Sequence, residues 1–250
     1  MELGLNGKII IVTGGASGIG AAVVDTLAGA GAVPVVLDRA AAPGEHHRLD
    51  LTDDAACAAA IAAIAARHGR IDGLVNNAGV NDRAGLGGTL DIALAAFRAS
   101  LERNLVQCFT LMHLCLPHLR QSRGAVVNIA SKVALTGQGG TSGYAAAKGG
   151  LLGLTREWAA ELAADGIRVN AVLPAEVSTP MYDQWLSAQP DPDARRAAIT
   201  RTIPLGARMT TPAEIAASVV FLLSVAASHV TGQHHVVDGG YVHLDRALTA

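Results

Sequence analysis

Aromatic side chains are scarce in this chain: three Phe, three Tyr and two Trp, 3% of 250 residues. A core must therefore be filled mainly by aliphatic residues and alanine. With half of the sequence hydrophobic, enough of them are available for a large one. Charge is thin as well, at 16% of residues with a net charge of -2 and no basic block, which excludes an extended polyanion-binding surface and argues against nucleic acid as a partner. The three cysteines, Cys57, Cys108 and Cys115, are an odd number without metal-ligand spacing. They exclude a disulfide scaffold or a zinc site and read as small core or interface residues. His46-His47 and His234-His235 lack partners at ligand spacing, so no metal is expected. The longest apolar run, residues 219–227, is too short to span a bilayer, and residues 1–5 lack a charged segment followed by an apolar stretch. The expectation is a cytoplasmic protein with no membrane partner.

What is present is a regular alternation of short β-branched runs and alanine-rich helical stretches. Strands are expected near 8–12, 33–37, up to Asp50-Leu51, 72–76, 125–130, 168–172 and 235–237. Helices are expected after the first glycine-rich turn to about 30, from 54 to about 67, from about 91 to 120 with interruptions near Asn104 and Pro117, from about 143 to 164, and from 212 to about 224. Thr211-Pro212-Ala213-Glu214 reads as a capping box with proline at the first helical position. The alternation predicts an α/β fold: a doubly wound (Rossmann) parallel sheet of about seven strands with helices on both faces, in a single domain over residues 1–250.

Thr13-Gly14-x-x-x-Gly18-x-Gly20 stands between the first predicted strand and helix, the context a dinucleotide turn requires. Its glycines permit a tight turn and close backbone approach to a pyrophosphate, and the helix N-terminus, entered through Ser17, Gly18 and Ile19, offers free amides. Asp38 ends the next strand, where a carboxylate accepts hydrogen bonds from the adenosine ribose and repels a 2′-phosphate. This favours NAD, with NADP as the alternative because Arg39 follows directly. Downstream, Ser131 ends an apolar strand, and Tyr144 and Lys148 stand four apart on one helix face. The ammonium favours the phenolate, whose unperturbed pKa is about 10, and so draws the tyrosine toward base chemistry.

On these motifs the whole chain resembles the short-chain dehydrogenase/reductase family. Asn76-Asn77-Ala78-Gly79 matches the family's sheet-stabilising motif, Asp50-Leu51 its adenine-contacting pair and Asn104 its catalytic asparagine. Pro174 to Pro180 matches the loop after the sixth strand, whose Val177 and Thr179 hold the nicotinamide carboxamide. The resemblance implies catalytic roles for Asn104, Ser131, Tyr144 and Lys148. It places Gly14, Ser17, Gly18, Ile19, Gly20, Asp38, Asp50, Leu51, Asn77, Ala78, Gly79, Tyr144, Lys148, Val177 and Thr179 around the dinucleotide. Tyr144 takes the hydroxyl proton, Lys148 assists it and holds the nicotinamide ribose, Ser131 orients the substrate oxygen, and Asn104 fixes a proton-relaying water. A homotetramer through the helix after Tyr144 and the long helix before it is the family's common assembly.

Two departures bear on substrate. Alanine replaces the usual glycine after Pro174, with Glu176 following, and Gln138 lies six residues before the tyrosine. A steroid or acyl pocket is apolar at such positions, whereas a glutamate and a glutamine suit a ligand with several hydroxyls. Together with the ending 239–248, these segments look like the bacterial L-fucose-oxidising branch of the family. That branch converts the anomeric carbon of a free aldose to a lactone. Asn81, Ser131, Gln138, Tyr144 and Glu176 are the expected sugar contacts, since buried hydroxyl partners must be matched donor for acceptor. Reductases of 3-ketoacyl thioesters, hydroxysteroid-type alcohol dehydrogenases and an L-rhamnose dehydrogenase are the alternatives.

Overall fold

A computed structural model describes residues 2–81 and 93–244. Strand β1 (Ile9–Thr13) is wholly buried, and its side chains divide between two cores as strand geometry demands. Ile9 and Ile11 point to one face, Ile10 and Val12 to the other. The remaining strands, β2 (Val33–Asp38), β3 (Glu45–Arg48), β4 (Gly73–Asn76), β5 (Ala125–Ile129), β6 (Arg168–Pro174) and β7 (His234–Val237), join it in the order β3-β2-β1-β4-β5-β6-β7. Every pairing is parallel. The strand order reverses between β1 and β4, so a crevice opens at their carboxyl ends.

Helices α1 (Gly18–Gly29) and α9 (Pro212–Leu223) cover one face with Val23, Leu27, Ile215 and Val219. Helices α2 (Asp54–His68), α4 (Gln107–Ser122) and α6 (Ser142–Glu161) cover the other with Ile61, Ile64, Leu111, Leu119 and Trp158. Burying each such aliphatic side chain is worth about 1.5–3 kcal/mol, so the cores on both faces hold the sheet. The three thiols lie buried in these layers and are free. Burial pushes them up, to about 11 for Cys57 and Cys108 and about 12 for Cys115, so they are inert at neutral pH.

The local signals act as their chemistry requires. Asp53 caps α2 by accepting from Ala56 N at 3.0 Å. Thr211 Oγ1 accepts from Glu214 N while the Glu214 carboxylate accepts from Thr211 N at 2.8 Å, completing the capping box of α9. The expected break near Asn104 is a π-helical turn, Glu102–Val106, between α3 (Leu94–Leu101) and α4. The expected break at Pro117 is absent: α4 continues through it, because the carbonyl its missing N–H leaves bare, that of His113, lies on the exposed face. The third strand ends at Arg48, short of Asp50-Leu51, which form a turn instead. Helices α5 (Val133–Thr136), α7 (Pro180–Ser187) and α8 (Pro192–Thr200) were not foreseen.

Candidate active site

Gly14, with φ of 64°, sits so close to Ala78 that a Cβ would come within 2.9 Å of its Cα, and a Cβ on Gly20 would overlap the Gly14 carbonyl. Asn77 Nδ2 fastens this turn by donating to Thr13 O and Gly14 O at 2.9 and 3.1 Å. Ser17 occupies the N-cap of α1 without a side-chain cap, leaving first-turn amides for an anionic group. At the far end, Asp38 accepts from Ala16 N and Ala40 N, which aims its carboxylate at the edge of the turn. The Arg39 guanidinium lies 3.7 Å from Asp50. Hydrogen bonds from Thr52 hold the Asp50 carboxyl below its usual range, with Arg39 adding to the effect.

A cleft of about 420 Å³ runs from this turn to the ends of β5 and β6. Gly14, Ser17, Gly18, Ile19, Asp38, Asp50, Leu51, Asn77, Ala78, Gly79, Val177 and Thr179 line it, together with Ser131, Tyr144 and Lys148. Gly20 lies beneath, packed on Gly14. These residues fit a nicotinamide dinucleotide: the turn excludes side chains where a pyrophosphate must approach, and free amides face it.

Helix α6 presents Tyr144 and Lys148. It is pinned to the sheet by a buried chain in which Asn76 Nδ2 donates to Asn128 Oδ1 and Asn128 Nδ2 donates to Thr155 Oγ1, each at 2.9 Å. The Lys148 ammonium lies 5.7 Å from the centre of the Tyr144 ring and donates to Ile129 O at 2.6 Å. Burial pushes its pKa down. Asn104 is fully buried behind Gly79, whose missing side chain makes room for both Asn104 and Lys148. Its amide is committed, Oδ1 accepting from Val80 N at 2.8 Å and Nδ2 donating to Ser100 O at 3.0 Å. Its main-chain carbonyl lies in the π turn, a geometry that opens the helical ladder and recurs at functional sites.

Of the expected sugar contacts, Ser131 and Tyr144 belong to that lining, whereas Asn81, Gln138 and Glu176 do not. Asn81 is exposed at the edge of the described chain, and Gln138 is exposed beyond α5. Glu176 is ion-paired with Lys132, with 13% and 10% of the side chains exposed. Sequence reasoning missed Tyr182 of α7, which lines the cleft and packs edge-on against Trp185 at 5.2 Å between ring centres. Burial pushes the Tyr182 hydroxyl up to about 12. It also missed Gln107, whose amide donates to Ala78 O at 3.0 Å beneath the cleft. A tyrosine two residues past Pro180 was the available signal for Tyr182. Of the C-terminal ending, residues 245–248 lie outside the described residues.

A glycine turn, an acidic residue at the end of β2 and a Ser-Tyr-Lys set on one cleft define a nicotinamide-dependent oxidoreductase acting on alcohol groups. Residues 14–242 match the family model described as enoyl-(acyl carrier protein) reductase, and the chain belongs to the short-chain dehydrogenase/reductase family. It is 37% identical to the L-fucose dehydrogenase of Mus musculus over 94% of this chain and 88% of that one. It is 36% identical to the 3-oxoacyl-(acyl-carrier-protein) reductase of Thermotoga maritima over 95% and 99%. Among solved structures, Cj0485 dehydrogenase superposes with a TM-score of 0.95 at 42% identity, covering 99% and 98% of the two chains. The aldohexose dehydrogenase of Thermoplasma acidophilum does so with 0.90 at 29% identity, covering 96% of each.

Proposed function

We propose that this enzyme oxidises C1 of a free aldose, L-fucose and its stereochemical relatives, to the lactone. The observation that carries the reading is the similarity to an L-fucose dehydrogenase over nearly the whole chain, with Ser131, Tyr144 and Lys148 on one cleft. A nicotinamide dinucleotide, when bound along Gly14, Ser17, Asp38, Ala78, Val177 and Thr179, supplies the hydride acceptor. Tyr144 Oη takes the proton of the C1 hydroxyl. The neighbouring Lys148 ammonium favours the phenolate, and its own burial eases proton loss onward. Ser131 Oγ donates to the same substrate oxygen and holds it through the charge change. The Asn104 carbonyl, which lies in the π-helical turn and accepts the weak thiol donor of Cys108 at 3.8 Å, holds a water that passes protons to solvent. Asn81 and Gln138 reach sugar hydroxyls from the rim.

NAD is the cofactor in this reading. Asp38 is fixed by two backbone amides where a 2′-phosphate would sit, and Arg39, which could neutralise that phosphate, is engaged by Asp50. A homotetramer belongs to the same proposal: Phe109, 53% exposed on α4, offers an apolar face for a second copy.

A second reading has its own support. Ala175, Val177, Pro180 and Met181 make the end of the cleft near Ser131 largely apolar, and the Thermotoga relative is by name a 3-oxoacyl-(acyl-carrier-protein) reductase. A panel of L-fucose, L-galactose, D-arabinose, a cyclic alcohol and an acetoacetyl thioester, each with NAD(H) and NADP(H), separates the two. Turnover of the L-fucose-type sugars with NAD supports the proposal. Silence on every sugar beside turnover of the thioester replaces it with the second reading.

A further inference from the structure

Three segments that leave the carboxyl edge of the sheet meet at one buried ion pair. Lys132 follows Ser131 after β5, Glu176 stands in the loop after β6, and Tyr241 belongs to the turn after β7. The Lys132 ammonium is paired with the Glu176 carboxylate and lies 4.3 Å from the centre of the Tyr241 ring. The backbone repeats the tie, with Lys132 N donating to Pro174 O at 2.9 Å and Thr210 N donating to Glu176 O at 3.0 Å. The turn carrying Tyr241 is built by the buried Asp238, whose carboxylate accepts from Gly240 N and Val242 N, each at 2.8 Å. The turn is also held to the loop before α9 through Leu205 N and Gly239 O at 2.9 Å.

Ser131, Ala175 and Val177 line the cleft, and their chain neighbours Lys132 and Glu176 are not part of that lining. An ammonium and a carboxylate this shielded interact far more strongly than at the surface, and the aromatic face over the ammonium excludes water further. Removing Lys132 leaves the Glu176 carboxylate charged in a shielded site without this partner, and removing Glu176 takes from Lys132 the carboxylate that faces it.

We propose that the Lys132–Glu176 pair, roofed by Tyr241, is a positioning clamp that fixes the Ser131 hydroxyl against the Val177 loop. It thereby sets the rate of the chemical step and makes the C-terminal turn part of the active site. The proposal rests on the reading that Ser131 and Tyr144 perform the chemistry. Lys132 and Glu176 touch neither substrate nor cofactor in it; they act through Ser131 and Val177.

The test uses the full-length enzyme and whichever alcohol the wild type oxidises. Lys132→Met and Glu176→Gln are each expected to lower kcat by about 100-fold, the scale on which small misplacements of reacting groups act, with KM for the alcohol and dinucleotide affinity changed less than about 3-fold. Lys132→Arg keeps the charge and is expected to retain most of kcat. Tyr241→Phe keeps the roof and stays near wild type, whereas Tyr241→Leu falls toward the single charge variants. Should either single variant fail to fold, Lys132→Met/Glu176→Leu removes both charges together and is expected to regain stability but not kcat. Full kcat in that double variant, or in both folded single variants, overturns the clamp and leaves a structural pair only. Tyr144→Phe keeps the two ideas apart: loss of activity there with none in the Lys132 series refutes the clamp alone, and no loss in either refutes the assignment of the chemistry.

Discussion

The two edges of the sheet use charge in opposite ways. At the amino edge the buried and half-buried charges of Asp72 and Arg168 are spent on holding the fold. Asp72, 3% exposed, accepts from Lys8 Nζ and Ile9 N at 3.0 Å and from Arg70 Nε at 2.8 Å. Burial works against its ionisation, but these partners together keep the carboxyl below its usual range. Arg168 donates to Leu222 O, Leu223 O, Ser224 O and Val230 O, closing the carbonyl end of α9. At the carboxyl edge, among the described residues, Lys148 donates to Ile129 O alone while facing Tyr144, and the first-turn amides of α1 have no side-chain cap. Unspent donors beside a cleft are what chemistry needs; saturated ones far from it are what a fold needs. The Lys132–Glu176 pair combines the two, a saturated contact set at the reactive edge.

Two substitutions bracket that contrast. Tyr144→Phe removes one hydroxyl from the reactive edge and is expected to lower kcat by about 1,000-fold, within the range for a lost acid–base group, with the denaturation midpoint unchanged. Asp72→Ala is the mirror image. It takes the acceptor from the Ile9 amide and from Lys8 and Arg70, which are 35% and 48% exposed and can turn to solvent. It is expected to cost about 2 kcal/mol in urea unfolding while leaving kcat and KM alone. A Tyr144→Phe enzyme that keeps its rate, or an Asp72→Ala enzyme that loses rate but not stability, would erase the distinction between the edges.

What could be read beforehand follows from how locally each feature is encoded. The glycine turn, Asp38, and the Tyr144 and Lys148 pair each depend on neighbours within one element or one turn, and all of them reach the cleft lining. The alternation of strands and helices depends on local periodicity, and it returned the parallel sheet. Lys132 and Tyr241 acquire meaning only when the segments after β5, β6 and β7 converge, and no spacing in the chain announces that. Glu176 was legible as an unusual carboxylate but not as the partner of Lys132, because 44 residues separate them. Helices α7 and α8 begin with Pro180 and Pro192, each behind a capping Thr179 or Asp191, so their starts were written in the chain. Their short length, 8 and 9 residues, hid them.

Helix α9 crosses from one edge to the other, so its two ends sharpen the contrast at the smallest scale. Its carbonyl end is closed by the half-buried Arg168, its amide end by the exposed capping box. There the hydrogen bonds from Arg208, and next the Thr211 amide, pull the Glu214 carboxyl down to about 2 from 4.5. The folded carboxyl thus binds its proton less tightly than the unfolded chain does. The stability it adds is complete above about pH 4.5 and is lost as the pH falls toward 2. Both side chains are about half exposed, at 53% and 42%, so solvent screening keeps the ion-pair share small. Thr211→Ala is expected to cost about 1 kcal/mol near neutral pH and to lose only part of that cost in acid, since its hydroxyl caps the helix at any pH but also donates to the Glu214 carboxylate at 3.0 Å and helps hold that carboxyl down. Glu214→Gln is expected to be destabilising at about pH 7 and to converge on the wild type near pH 2. Urea titrations of both variants across that range read the difference directly. A Glu214→Gln gap that stays constant into acid would mean the carboxylate's charge contributes nothing and the box works by hydrogen-bond geometry alone.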